Sequence, residues 1–202
     1  MIGVVPAGLL LAAGAGSRMG RPKALVHDER GSWLQRAVAV LREGGCDPVV
    51  VVLGAAPEAA DLLPPGVRAV LAEDWAEGMG ASLRAGLAAL DALDAASVEQ
   101  VVVTLVDLPD LVPAVVARVV AAAETGRGEA LARASYDGEP GHPVLIGRDH
   151  WAGVRDVARG DRGARDLLSA GDVLLVECCD LAGGEDVDSL PGSPGHQRDA
   201  DA

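Results

Sequence analysis

The chain has 202 residues with a formal charge of −13, and half of its residues are hydrophobic. That length fits one domain with a properly buried core, and so negative a surface repels phosphate backbones, which excludes nucleic acid as a partner. With no Phe, one Tyr and three Trp, the core has to be packed from Ala, Val and Leu.

Residues 1–16, MIGVVPAGLLLAAGAG, are apolar and end in small residues, as a secretory signal does. No Lys or Arg precedes the run, Pro6 and Gly8 interrupt it, and it is too short to span a bilayer. It reads as a buried first strand over 8–13 of a cytoplasmic protein with no membrane contact. Further strands are predicted at 48–53, 67–72, 100–106, 129–135 and 172–178. PVVVVL and VVVTLV are apolar at almost every position, as central strands covered on both faces must be. Helices fall between them. The helix at 32–45 has a Ser cap and ends in glycines. In the helix at 79–93, Met79, Leu83, Leu87, Leu90 and Leu93 share one stripe. The helix at 112–126 carries Pro113 in its first turn and Gly126 beyond its end. Strands alternating with helices predict a single three-layer α/β/α sandwich over 1–190 with a mixed, mostly parallel, Rossmann-like sheet. Residues 191–202, PGSPGHQRDADA, read as a disordered tail. Cys46, Cys178 and Cys179 lack metal or CxxC spacing and read as small buried apolar residues in a reducing compartment.

The stretch LAAGAGSRMGRPKAL, residues 11–25, follows the first strand directly, at the sheet edge where α/β proteins bind ligands. A dinucleotide fingerprint would need Gly at 19, which is Met, and a P-loop would need Gly-Lys-Ser/Thr, whereas Lys23 lies between Pro22 and Ala24. Both spacings fail. What remains is a flexible loop in which Gly14 and Gly16 let backbone N–H groups approach an anion. Arg18 and Lys23, with Arg21 beside them, supply local positive charge for a triphosphate. Pro22 restricts the backbone just ahead of the lysine. Asp107, at the end of VVVTLV, is either a helix cap or a ligand for a hard cation. Asp110 reads as a cap or a surface charge. Gly80 and Ser82 stand at a helix start, where free N–H groups can meet an anion.

LAAGAGSRMGRPKAL resembles the signature of the MobA-like nucleotidyltransferases, and within them is most similar to molybdenum cofactor cytidylyltransferases. WAEGMGASLRAGL (75–87), LVDLPDL (105–111), EDVDSL (185–190), GEPGHPVLIGRDHW (138–151) and GDRGARDLL (160–168) extend the likeness over about 190 residues. The resemblance implies a nucleotide-diphospho-sugar transferase-like fold and a nucleotide site of Leu11, Ala12, Ala13, Gly14, Gly16, Arg18, Lys23, Gly80 and Ser82. It makes Arg18, Lys23 and Asp107 catalytic, and Asp107 with Asp188, or Asp186 in reserve, the ligands of Mg²⁺. It makes His142, Asp161 and Arg165 contacts of the acceptor. Relatives carry Gln where this chain has Leu108, and a Thr-Pro-Glu-Asp helix start where it has SLPG.

The expected activity is transfer of CMP from CTP to the terminal phosphate of molybdopterin, releasing pyrophosphate, with a downstream molybdoenzyme or chaperone as partner. Ala13, beside the expected base, carries a methyl group that would hinder a purine. The alternatives left open are a guanylyltransferase, a sugar-phosphate nucleotidyltransferase, or a non-catalytic nucleotide-binding accessory protein for molybdoenzyme maturation.

Overall fold

The computed structural model describes residues 5–93, 98–123, 127–160, 168 and 173–187. Its chain order is β1 (Ala7–Ala12), β2 (His27–Asp28), β3 (Gly31–Ser32), α1 (Trp33–Glu43), β4 (Val49–Leu53), β5 (Arg68–Leu71), α2 (Met79–Asp91) and β6 (Gln100–Leu105). It continues with α3 (Pro113–Ala122), β7 (Leu131–Tyr136), β8 (Glu139–Gly147), α4 (Trp151–Val157) and β9 (Leu174–Glu177). Seven strands form one sheet in the order β5-β4-β1-β6-β8-β7-β9. The first four run parallel, β8 is antiparallel to β6 and to β7, and β9 is parallel to β7. This is the predicted mixed, mostly parallel α/β sheet.

The apolar runs are continuous because both faces are covered. Along β1, Leu10 and Ala12 join a cluster with Leu34 and Val38 of α1 and Val115 and Val119 of α3. Leu9 and Leu11 join the opposite cluster with Leu83, Leu87 and Leu90 of α2 and Val154 of α4. The predicted caps are present: Ser32 Oγ accepts from Gln35 N at 3.3 Å, and Pro113 opens α3. On the α2 stripe Leu83, Leu87 and Leu90 are buried, while Met79 is 37% exposed and belongs to the ligand cleft.

Two readings need correction. Residues 140–143 lie in β8 and not in a turn ahead of it. β6 pairs only with the stretch from Val144 onward, so the preceding half of β8 has β7 on one side alone. Pro140-Gly141-His142-Pro143 reads from the sequence as a turn holding the histidine rigidly ahead of a strand, but Pro140 and Pro143 donate no hydrogen bond and are tolerated on such a half-edge. Asp110 does not cap α3, whose cap position is Val112. Its Oδ2 accepts from Gly183 N at 2.7 Å and Gly184 N at 3.1 Å, tying the chain's return past β9 to the β6–α3 loop.

Gly80 is placed by packing. A Cβ there would lie 2.7 Å from Arg159 N and 2.8 Å from Ala158 C, where α2 meets the end of α4. Alanine favours a helix by about 1 kcal/mol over glycine, yet Gly80→Ala is expected to destabilise the fold by about 1–3 kcal/mol through overpacking. A denaturant titration that shows a lowered midpoint at unchanged slope would bear this out.

Candidate active site

At the carboxyl edge of the sheet, the loops after β1 and β6 and the start of α2 enclose a cleft of about 440 Å³. Leu11, Ala12, Ala13, Gly14, Gly16, Arg18, Lys23, Ser82 and Asp107 all line it, so nearly every residue predicted for the nucleotide converges there. Gly80 is the exception and faces the backbone of 158–159.

The loop after β1 is a rigid structure. Gly16 has φ +63, and both Met19 N (2.9 Å) and Gly20 N (2.8 Å) donate to its carbonyl. A Cβ on Gly16 would sit 1.9 Å from Arg21 O, a clash no rearrangement of a side chain relieves. Met19, 8% exposed, drops into the core and pins the loop from below. Gly14 differs: nothing lies within 4 Å of an added Cβ, so its bare Cα opens onto the cleft itself. Pro22 (φ −56, ψ 130) starts the 3-10 turn Lys23–Leu25, in which Ala24 is fully buried. The buried Ala24 and the proline together set the direction of the lysine.

Lys23 Nζ donates to Asp107 Oδ2 at 2.6 Å across 84 positions of sequence, with the two side chains 16% and 15% exposed. The second oxygen, Oδ1, is buried and has no hydrogen-bond partner among the described residues. A buried carboxylate oxygen without a partner is costly, and a hard cation would satisfy it. Mg²⁺ and Mn²⁺ fit such a donor, since they take one or two carboxylates and fill the remaining positions with water and substrate phosphates. The described residues contain no group of three His, Cys, Asp or Glu side chains able to hold a metal, so phosphates would have to complete the shell. Val187 N donates to the Asp107 carbonyl at 3.0 Å, which brings residues 185–187 alongside. Asp186 is exposed there; Asp188 lies outside the described residues, as do Asp161 and Arg165.

The predicted acceptor residue His142 lies in a separate group of side chains, outside the cleft lining. Gly184, with φ +72, lies so close to Tyr136 that a Cβ would approach the ring to 2.2 Å. Tyr136 donates its hydroxyl to His142 O at 2.7 Å, and Arg133 donates to Gly141 O at 3.0 Å. Burial, reinforced by the Arg133 charge and opposed by Asp186, pushes the His142 ring down to about 4. The ring is therefore neutral at pH 7, able to accept or donate one hydrogen bond but not to supply positive charge. Glu177 organises the turn at the far end of β9: it accepts from Cys179 N, Gly138 N and Ser135 Oγ, which hold its carboxyl at about 2.

Sequence reading missed Trp75 and Met79, which also line the cleft, and Arg133 beside His142. The signal for Trp75 was present, since it is one of three tryptophans in a chain without Phe and sits at the turn before the α2 glycines. Arg133 lies in a strand whose neighbours become known only from the pairing of β7 with β8.

The match to the MobA-like NTP transferase domain spans residues 8–174. The chain belongs to that family of NTP transferases. It is 39% identical over 194 residues, 91% of this chain and 92% of the other, to nicotine blue oxidoreductase of Paenarthrobacter nicotinovorans. Among solved structures it is similar to Rv0371c of Mycobacterium tuberculosis H37Rv, with TM-score 0.75 and 28% identity over 94% of this chain and 95% of that one. A manganese complex of Rv0371c matches with TM-score 0.70 and 25% identity over 91% and 94%. The 4-diphosphocytidyl-2C-methyl-D-erythritol synthase of Anaerococcus prevotii, 12% identical with TM-score 0.67 over 92% and 91%, shares the fold. No helix among the described residues is long and apolar enough to cross a membrane.

Two outcomes are expected. Gly14→Ala should fold with unchanged stability and lose nucleotide affinity, whereas Gly16→Ala should lose both; thermal melts and calorimetric binding separate them. A ring whose pKa falls on folding contributes stability in full above its unfolded value of about 6.5 and loses it as the pH drops toward 4. Acidification from pH 7 to 5 should therefore destabilise the native chain more than His142→Asn, and NMR should find the His142 ring titrating near pH 4.

Proposed function

We propose that the protein transfers CMP from Mg-CTP to the terminal phosphate of a molybdopterin-type acceptor, with release of pyrophosphate. The observation that carries this reading is the Lys23–Asp107 pair at the mouth of the glycine loop, with one carboxylate oxygen left over. The acceptor and the base follow from the resemblance of the GEPGHP and LAAG stretches.

In this reading the triphosphate lies along the loop of Gly14 and Gly16, and Arg18 and Lys23 neutralise it. Lys23 exchanges its carboxylate partner for phosphate oxygens when the nucleotide enters, which frees both oxygens of Asp107. Asp107, helped by Asp186 or Asp188, would hold Mg²⁺, which when bound draws electron density from the α-phosphate. An ionised oxygen of the acceptor phosphate attacks the α-phosphorus in line. The new P–O bond forms as the bond to the β-phosphate breaks, and the electron pair leaves with pyrophosphate. No proton has to be removed from the nucleophile, so no general base is needed, and the chain's part is positioning and charge stabilisation. His142, neutral and beside Arg133, serves the acceptor side, where loss of its ring weakens binding more than turnover. Asp161 and Arg165 are assigned there on resemblance alone.

A second reading rests on the 39% identity to an enzyme named an oxidoreductase. The loop lacks the dinucleotide fingerprint spacing, so in this reading the pyrophosphate of a reduced nicotinamide dinucleotide would be held by Arg18 and Lys23 and by the backbone around Gly14 and Gly16. Its hydride, with a proton from solvent, would reduce a flat quinoid ring.

The deciding experiment supplies purified molybdopterin with Mg²⁺ and CTP, GTP, ATP or UTP in turn and follows pyrophosphate, with parallel assays of NADPH oxidation by a quinoid dye. Pyrophosphate with CTP alone supports the first reading, and dye-dependent NADPH loss without pyrophosphate supports the second. Nucleotide binding with neither reaction would mark an accessory protein. Asp107→Ala should abolish pyrophosphate release, and normal activity in that variant would remove the metal assignment.

A further inference from the structure

We propose that Trp75 is the platform on which the planar ring of the bound nucleotide stacks, so that it sets the preference for ring-bearing over ringless phosphates. The inference rests on the nucleotide reading of the cleft and adds the group that recognises the ring.

The chain has three tryptophans, and two of them serve the fold. Trp33 is 3% exposed and donates to Asp28 Oδ2 at 2.8 Å; Trp151 is 1% exposed and donates to Ile146 O at 3.1 Å. Trp75 is half-buried and lines the cleft. Its seat is built for it. Gly54, just past β4, lies so close beneath that an added Cβ would be 2.6 Å from both Cβ and Cγ of Trp75, and 2.7 Å from Ala13 O. Ala55 N donates to the same Ala13 carbonyl at 2.9 Å. The tryptophan is thereby held beside Ala13, and it lines the same cleft as Ala12, Ala13 and Gly14, the last with nothing within 4 Å of an added Cβ.

The backbone that carries Trp75 is also held. Trp75 N donates to Ala72 O at 3.2 Å and Gly78 N to Trp75 O at 3.1 Å, and Gly78 turns the chain into α2 at φ +115. Charge enters the cleft from the β1 loop and from Asp107; the turn before α2 contributes Trp75, Ala76, Gly78 and Met79, none of them charged. The cleft thus offers a triphosphate an ionic partner and its ring an apolar aromatic one. Stacking on an aromatic side chain tolerates any base, and a nicotinamide as well, because each has a π face.

The test is calorimetric binding of Mg-CTP, NADPH and Mg-pyrophosphate to the full chain and to Trp75→Leu and Trp75→Phe. Stacking of about 1–3 kcal/mol per base corresponds to a CTP affinity about 5- to 140-fold weaker in Trp75→Leu. Trp75→Phe should recover most of the loss, and pyrophosphate, which has no ring, should bind all three alike. Unchanged CTP affinity in Trp75→Leu would overturn the platform while leaving the transferase reading intact. An equal loss for pyrophosphate would show a structural role and overturn it too. Ring-selective loss seen with NADPH, in a protein that does not bind CTP, would keep the platform and overturn the transferase reading. A native chain that binds pyrophosphate but neither ringed ligand would overturn both.

Discussion

The site depends on a partly buried ion pair between residues that the chain holds 84 positions apart. Lys23 belongs to the loop after β1 and Asp107 to the end of β6, and these strands are neighbours only because β6 pairs with β1 along Ala7–Leu11. Without that pairing, each charge would stand alone at a half-buried position on a chain of net charge −13. With it, the lysine neutralises one carboxylate oxygen and leaves the other buried without a hydrogen-bond partner among the described residues. The same contact closes the glycine loop over the sheet edge, so loop conformation and site electrostatics have one origin.

Much of the architecture follows from using small residues in place of large ones. An aromatic-poor core lets helices and loops approach the sheet closely, and the glycines mark where they do. Gly86 lets α2 press on Leu9, and Gly44 lets the end of α1 meet Val116. Gly54 does the same for Trp75, but there the close approach serves the cleft and not the core. A side chain large enough to stack on a ligand needs a floor without a side chain of its own.

The return of the chain after β9 is fastened to the β6–α3 loop and to α3 by a series of local bonds. Arg118 binds Asp180 through both guanidinium nitrogens, at 2.5 and 2.9 Å. Asp110 takes the next N–H groups at Gly183 and Gly184, and the Asp107 carbonyl takes Val187 N. Residues 185–187 therefore arrive beside Asp107. Leu108, in place of the usual Gln, turns inward at 8% exposure, which is where an apolar residue in that loop belongs.

The amino-acid sequence by itself determined the alternation of strands and helices, the doubly covered central strands and the glycine-rich loop after the first of them, because these depend on local periodicity and on the identity of adjacent residues. It also singled out Lys23 and Asp107 as charges next to apolar strands. Only the tertiary structure decided which charges meet, since a parallel sheet brings together residues from distant segments. It moved His142 from a turn into a half-edge strand beside Arg133, made Gly80 a packing residue, and turned Asp110 from a cap into a tether. It also revealed Trp75 as the aromatic wall of the cleft: its seat depends on a glycine just past β4, and no spacing along the chain records that contact.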